Sequence, residues 1–442
     1  MTKQQSIGRA VALAVALIFG LAGLAAEANA QDHWVATWAA SPQTPRFTFP
    51  RLPAPSPSSA PSQPGQPSQG NPPPLFPAPP TINNQTVRMI VHTSIGGHRV
   101  RVQLSNAFGA SALQVGSAHI ALRDKGSAIV AASDRPLTFS GKSSISIPPA
   151  AEILSDPVDL EVPKLGDLVI SVYIPGEAAS PTIHLTGLHT TYISKPGDFT
   201  AAPVIGDPSA KVQLWYWISA VDVVAPSKAD LIVAFGDSIT DGATSTPDTD
   251  RSWPSQLAQR LSANKSTADL AIVNEGISGN RLLNDGAGVS ALARFDRDVL
   301  SQPGVKWLIV LEGINDIGIG GRPGAQSPDA VTADDLIGAH KQIIERAHLH
   351  GIKVIGATLT PYVGAAYATE QGETMREAVN QWIRSSGAYD AVIDFDAATQ
   401  DPANPKQIRP AYNIRDHLHP NDDGYKAMAE AVDLAIFARR AK

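Results

Sequence analysis

Two hydrophobic rhythms divide the chain. Between 86 and about 222 apolar residues recur at every second position in short runs. Val100, Val102 and Leu104 alternate with Arg99, Arg101 and Gln103, the pattern of a half-buried antiparallel strand. Similar runs occur at 113–122, 143–148, 167–174, 183–193 and 211–224. Turn residues separate them, and helical periodicity is absent. An earlier run, 34–41 (WVATWAAS), predicts a first strand with Trp34 and Trp38 as core anchors. Together these predict an all-β sandwich or jelly-roll domain over 31–225.

From 231 the period changes. Apolar runs at 231–235, 269–273, 307–311, 352–357 and 390–395 alternate with helical stretches near 253–263, 288–300, 332–350, 372–386 and 422–439. A β-α repeat of this kind predicts a parallel sheet with helices on both faces, here over 229–442. Leu336, Ala339, Ile343, Ile344 and Ala347 form the inward stripe of one helix, and Gly351 stops it. The junction 222–230 (DVVAPSKAD) is short and poor in Gly and Pro. Domains joined this way are expected to pack on each other.

Two segments stand outside both rhythms. Residues 1–30 carry Lys3 and Arg9, an apolar stretch from Val11 to Leu24, and Ala28-Asn29-Ala30. This predicts a signal peptide cleaved before Gln31, hence a secreted or periplasmic protein with no integral membrane segment after cleavage. The second is 42–80, which holds 15 of the 36 prolines. Such a stretch cannot bury enough apolar surface to offset its ordering entropy, so it is expected to be an extended, disordered insertion.

Composition removes several function classes. With no cysteine, disulfides, a thiol nucleophile, thiolate metal sites and a lipidated cysteine are excluded. A formal charge of −6 offers no electrostatic footprint for nucleic acid. His92, His98, His119, His184 and His189 are scattered without ligand spacing, which favours structural histidines over a metal site. Neither a metal nor an organic cofactor is implied.

The chemistry concentrates where the predicted parallel strands end. The first ends in Gly236-Asp237-Ser238, and polar groups at strand ends are where open α/β sheets bind ligands. After 269–273 comes Asn274-Glu275-Gly276-Ile277-Ser278-Gly279. After 307–311 come Gly313, Asn315 and Asp316, and before the last helix stand Asp416, His417 and His419. Acyl transfer at a serine needs a hydroxyl, a base, a carboxylate to orient the base, and donors for the oxyanion. Ser238 can supply the hydroxyl, His419 the base and Asp416, three residues earlier, the carboxylate. The N–H groups of Ser238 and Gly279 and the Asn315 amide can be the donors. Each also has a plainer reading. Gly-Asp-Ser is an ordinary turn and N-cap sequence, Asn315 could cap a loop, Gly279 could be a turn glycine, and His419 before Pro420 could be a surface residue. His417 is a competing base, although adjacent Asp416 is badly placed to orient it.

In the blocks GDSIT (236–240), NEGISG (274–279), GIND (313–316) and DHLH-P (416–420), the chain resembles the SGNH superfamily of GDSL-type serine esterases and lipases. The resemblance covers about 229–440 and implies a flavodoxin-like three-layer α/β/α domain. It further implies Ser238 as nucleophile, Ser238, Gly279 and Asn315 as the oxyanion hole, and Asp416 with His419 as the rest of a triad. The β part, through HTSIGG (92–97) and RVQLSNAFG (101–109), resembles the N-terminal part of exported members similar to xylan-associated esterases. The proline-rich 42–80 departs from that pattern.

The rim loops 241–252, 317–331 and 363–372 are rich in small and polar residues and lack the apolar run of a lipase lid. Such a rim suits short acyl groups on sugars, because long chains need large apolar pockets. The expectation is an exported esterase that takes acetyl groups from plant-type polysaccharide. Its rivals are a lipase, arylesterase or thioesterase on the same triad, and a carbohydrate-binding protein with a degenerate hydrolase domain.

Overall fold

The computed structural model describes residues 32–45, 78–178, 180–321, 325 and 329–438. The signal sequence expected at 1–30 and most of the proline-rich segment lie outside them.

The β-rich part is built on five principal strands, β1 (Trp34–Ala39), β2 (Ile82–His92), β3 (Gly97–Ser105), β4 (Asp167–Ala178) and β5 (Ile218–Val224). β5 lies between β1 and β3 in one antiparallel sheet, and β2 pairs with β4 at the heart of a second. Period-2 alternation sends Val87, Met89 and Val91 of β2 and Leu168, Ile170 and Val172 of β4 into the same buried cluster as Val100, Val102 and Leu104 of β3.

The second half starts with β6 (Asp230–Gly236) and the short helix α1 (Ser238–Asp241). There follow α2 (Trp253–Ala263), β7 (Leu270–Gly276), β8 (Val305–Leu311), α3 (Ile314–Gly320) and α4 (Ala333–Leu349). It closes with β9 (Lys353–Ala357), α5 (Glu370–Ser385), β10 (Ala391–Ile393) and α6 (Asp422–Ala431). The five strands are parallel in the order β7-β6-β8-β9-β10. Numbered within the sheet this is 2-1-3-4-5, so the strand order reverses beside β6, the point at whose carboxyl ends open sheets of this kind bind ligands. α2 packs with α6, and α4 with α5, as two helical groups.

Several expected elements differ in detail. The 183–193 run is not one strand but Ile183–His184 and Thr191–Pro196. The residues between serve other partners: Leu185 N–H donates to Gln43 Oε1 (2.9 Å) and Thr186 Oγ1 meets Ser278 Oγ (2.7 Å). The 211–224 run breaks at Trp217, whose φ of 53° is left-handed. The 288–300 helix begins at Ala291 and widens to a π-turn over Asp296–Leu300, beside the buried Arg294–Asp298 ion pair (3.0 Å). The last helix stops at Ala431 rather than near 439. Val432 turns extended, Arg260 Nη1 takes the Ala429 and Val432 carbonyls, and Asp433 caps a separate 3-10 turn.

The two halves form one compact unit over the described residues from Trp34 onward. β7 is an edge strand of the parallel sheet, and β1 lies against it. Ile272 N–H donates to Ser94 Oγ (3.1 Å), Ser94 Oγ donates to Thr37 O (2.8 Å), and Ala36 N–H donates to Pro303 O (3.1 Å). An exposed strand edge invites association, and here the β-rich half covers it. Val35 and Ala271 belong to one continuous buried cluster.

Charged groups join the halves as well. His189, at the end of the 185–190 loop, places Nε2 2.9 Å from Asp250 Oδ1 and Nδ1 3.5 Å from Asp248 Oδ1, the latter a charge attraction more than a hydrogen bond. Burial alone would lower the histidine pKa, but the two carboxylates, with Asp167 nearby, raise it to about 9.

Two outcomes are expected. A fragment of 229–442 loses the cover over β7, so it should aggregate or bind hydrophobic dye and melt earlier than 31–442. A soluble monomeric fragment with full activity and the same melting point would count against this. The second concerns pH. A histidine whose pKa rises on folding takes up its proton with folding. Its contribution is therefore complete below about pH 6.5 and is lost as pH climbs through about 9. The melting temperature of the wild type should fall across that window more steeply than that of His189→Gln, and parallel curves would show that the pair contributes nothing.

Candidate active site

Three backbone segments leave the parallel sheet side by side, because Gly236 of β6 is level with Gly276 of β7 and Leu311 of β8. Ser238 opens α1. Asp237 caps that helix, its Oδ1 accepting from Ile239 N–H (2.9 Å), and Gly242 ends it at φ 95°. A Cβ on Gly276 would lie 2.2 Å from Asp241 N, so only glycine lets the β7 loop sit this close to α1.

The histidine arrives from the loop before α6. Ser238 Oγ and His419 Nε2 are 2.9 Å apart, and His419 Nδ1 is 2.6 Å from Asp416 Oδ2. The carboxylate can only accept from Nδ1–H, which leaves Nε2 to accept from the hydroxyl. Asp416 Oδ1 accepts the N–H groups of Leu418 (3.0 Å) and His419 (2.9 Å). Burial opposes its ionisation, but these bonds outweigh burial and hold its pKa at about 2. Arg415 (φ 78°) and His417 (φ 60°) are left-handed, at roughly 1–2 kcal/mol each, and that tight winding surrounds Asp416. His417, the competing base, is not the partner of Ser238. The loop is clamped from the 244–250 side. Thr244 Oγ1 donates to Pro420 O (2.8 Å), and Thr246 donates through N–H (2.9 Å) and Oγ1 (2.6 Å) to Asp422.

Gly279 has φ 80°, a left-handed conformation that favours glycine, and its N–H has no acceptor among the described residues. Asn315 Nδ2 donates one hydrogen to Asn280 O (2.9 Å), and a carbonyl there settles which amide atom is nitrogen. The second Nδ2–H has no acceptor among the described residues. Tyr367 O–H donates to Asn315 Oδ1 (3.2 Å) and holds the amide from behind. Asp316 ties the two segments together, accepting from Leu282 N–H (2.7 Å) and Leu283 N–H (3.2 Å). Burial raises its pKa to about 6 against those bonds.

Beneath lies Arg294, fully buried. Its Nη2 donates to Gly236 O (2.9 Å), Nη1 to Glu275 O (2.7 Å), and Nε to Asn280 Oδ1 (2.8 Å). One guanidinium thus fixes the residue before Asp237-Ser238 and the residue after Gly279. The neighbouring acids are affected by the same burial: Asp237 is raised to about 7, and Glu312, pushed up by burial and by Asp237, is held well above the carboxylate range.

All five residues read from the sequence are thus placed: Ser238, His419 and Asp416 in one hydrogen-bonded relay, Gly279 on the loop after β7 and Asn315 in the first turn of α3. Sequence reading missed Arg294, Tyr367 and Asp241, and took His184 for a structural histidine. A charged residue in a helix normally faces water, and nothing local marks Arg294 or Asp241 as buried. Four of the five histidines weighed above as metal ligands face carboxylates: His92 and Asp167, His119 and Asp134, His184 and Asp241, His189 and Asp250. Among the described residues one group has metal-ligand spacing, His92 with Asp167 and Asp250, whose ligand atoms lie within 4.8 Å of one another. The second oxygen of Asp167 is already held by Arg123 Nη1 (2.8 Å) and that of Asp250 by His189. Those cations neutralise the carboxylates, so the group reads as an ion-pair network. No helix among the described residues is long and apolar enough to cross a membrane.

Residues 234–427 match the GDSL-like Lipase/Acylhydrolase family. Similar solved structures include a GDSL-like lipase from Bacteroides thetaiotaomicron, 20% identical over 48% of this chain and 90% of that one, with a TM-score of 0.36. Another is an acetylxylan esterase from Geobacillus stearothermophilus, 21% identical over 48% of this chain and 95% of that one, with a TM-score of 0.37. No curated protein matches the sequence.

Proposed function

Starting from a chain that carries a GDSL-like lipase/acylhydrolase domain over 234–427 and is a carboxylic ester hydrolase, we propose that it works through Ser238, His419 and Asp416 and removes short acyl groups, acetyl above all, from polysaccharide outside the cytoplasm. The observation that carries the catalytic part is the relay Ser238 Oγ–His419 Nε2–His419 Nδ1–Asp416 Oδ2, at 2.9 Å and 2.6 Å.

In this reading Ser238 Oγ attacks the ester carbonyl as His419 Nε2 takes its proton. Asp416, ionised throughout the working range, stabilises the imidazolium that forms. The oxyanion is met by the N–H groups of Ser238 and Gly279 and by the free Nδ2–H of Asn315. His419 then gives its proton to the departing alkoxide. Water, activated by the same histidine, releases the acid from the acyl-enzyme.

The substrate part is supported by the rim. The stretches 241–252 and 363–372 present mainly small and polar side chains, which fit a short acyl group better than a long one. Residues 1–30 support export.

Ser238→Ala should abolish turnover of p-nitrophenyl acetate with little change in melting temperature, and the wild type should take a fluorophosphonate adduct on Ser238. Near-normal activity in the variant, with no adduct in the wild type, would exclude the mechanism. Asn315→Ala should lower kcat by about 10²–10³ with a smaller change in KM, since its amide meets charge that exists only in the transition state. A change in KM alone would place Asn315 in ground-state binding.

Substrate class has its own test. Across p-nitrophenyl esters kcat/KM should be highest for acetate and fall with chain length, and acetate should be released from acetylated xylan, pectin or chitin fragments. A maximum at long chains would favour a lipase. The exported protein should begin at Gln31 by N-terminal sequencing.

A further inference from the structure

The geometry points to His184, a residue outside the 234–427 segment, as a positioning residue for the oxyanion loop that acts through Asp241. This rests on the serine-esterase reading above, which assigns Gly279 to the oxyanion hole.

His184 belongs to the two-residue strand Ile183–His184, paired with Trp215–Tyr216 in the β-rich half. Its Nδ1 lies 2.9 Å from Ser41 O and its Nε2 3.0 Å from Asp241 Oδ1. A carbonyl and a carboxylate oxygen only accept hydrogen bonds, so both ring nitrogens donate and the ring is an imidazolium. Burial opposes that charge, and Asp241 overcomes it. The ring is sealed in place, with Trp215 packed beside it at 5.6 Å.

Asp241 is the last residue of α1, the helix that Ser238 begins. One of its oxygens is held by His184. The other accepts from Ser278 N–H (2.7 Å) and Ser278 Oγ (2.6 Å). Ser278 immediately precedes Gly279, so the carboxylate fixes, through backbone and side chain, the residue to whose carbonyl carbon the Gly279 N–H is joined. Without the imidazolium, Asp241 would be a buried carboxylate with one oxygen unpaired. Such a group relaxes by protonating or by turning, and either releases Ser278. Thr186 Oγ1, 2.7 Å from Ser278 Oγ, supports the same residue from the same β-rich segment.

A bare structural salt bridge would fix stability and leave transition-state binding alone. A positioning pair aimed at an oxyanion donor does the reverse, and the two are separable. His184→Gln keeps a side-chain amide near both partners and removes the positive charge. Its kcat on p-nitrophenyl acetate should fall about 10–100-fold, the size of loss seen when partners that orient metal ligands are removed, with KM within about twofold. Its affinity for phenylboronic acid, which forms a tetrahedral anion on the serine, should weaken by a similar factor. Asp241→Asn should show the same pattern. The double variant should be no slower than the slower single one, because both changes break one relay.

Near-UV circular dichroism checks the fold, and Asp241→Asn carries the test if His184→Gln does not fold. Wild-type kcat and boronate affinity in a folded His184→Gln or Asp241→Asn would overturn the proposal, as would losses that multiply in the double variant. The controls are separate. If Ser238→Ala retains activity, the esterase mechanism has failed. If Ser238→Ala is inactive and His184→Gln is normal, only the positioning role has.

Discussion

The Arg294 guanidinium has no exposed surface, and its donors reach Gly236 O, Glu275 O, Asn280 Oδ1, Ser41 Oγ and Asp298 Oδ2. It also stacks on Phe235 at 4.0 Å. A buried cation is tolerated only where a paired anion and several acceptors replace its water. That requirement works in both directions. The acceptors must converge on the guanidinium, and so the two loops that leave β6 and β7 are held at fixed separation. Charge-assisted bonds of this kind are short and directional, so the positions of Ser238 and Gly279 inherit their precision from a residue that touches neither.

The surrounding acids follow from the same constraint. Asp298 balances Arg294 and Arg297 and stays ionised, its pKa lowered by those cations against burial. Glu275 and Glu312 are buried with too little positive charge to serve them, and burial pushes both upward. A neutral acid is the cheaper occupant of such a place. Asp416 differs because it is partly exposed and accepts three hydrogen bonds from its own loop. Neighbouring carboxylates are thus pushed in opposite directions, and the difference comes from their surroundings rather than residue type.

The β-rich half is part of this arrangement. Ser41 donates to Glu275 Oε2 (2.6 Å), Gln43 Nε2 donates to Ala287 O (2.8 Å), and His184 and Thr186 reach Asp241 and Ser278. All bear on the loop from Glu275 to Ala287 that carries Gly279. The same half covers the β7 edge with β1. A parallel sheet needs its edge protected and its loops fixed, and here one neighbour does both.

How far the sequence reaches is clear from particular residues. Apolar runs and helical stripes place β6 to β10 close to their observed bounds, because a buried parallel strand must be apolar throughout and its helix apolar on one face. The Ser238, Gly279, Asn315 and Asp416–His419 blocks are legible because strand-end position and residue type are local properties. Local pattern fails where a residue serves something distant. The 183–193 run reads as one strand, yet it breaks so that its middle can reach Gln43, Ser278 and Asp250. Nothing local singles out Arg294, a charge within a helical stretch, yet it lies at the centre. Which acceptors surround a guanidinium, and which histidine meets which carboxylate, depends on distant segments, 253 residues apart for Arg294 and Ser41. Such pairs are decided only when the chain closes on itself, since burial and charge balance are properties of the packed whole.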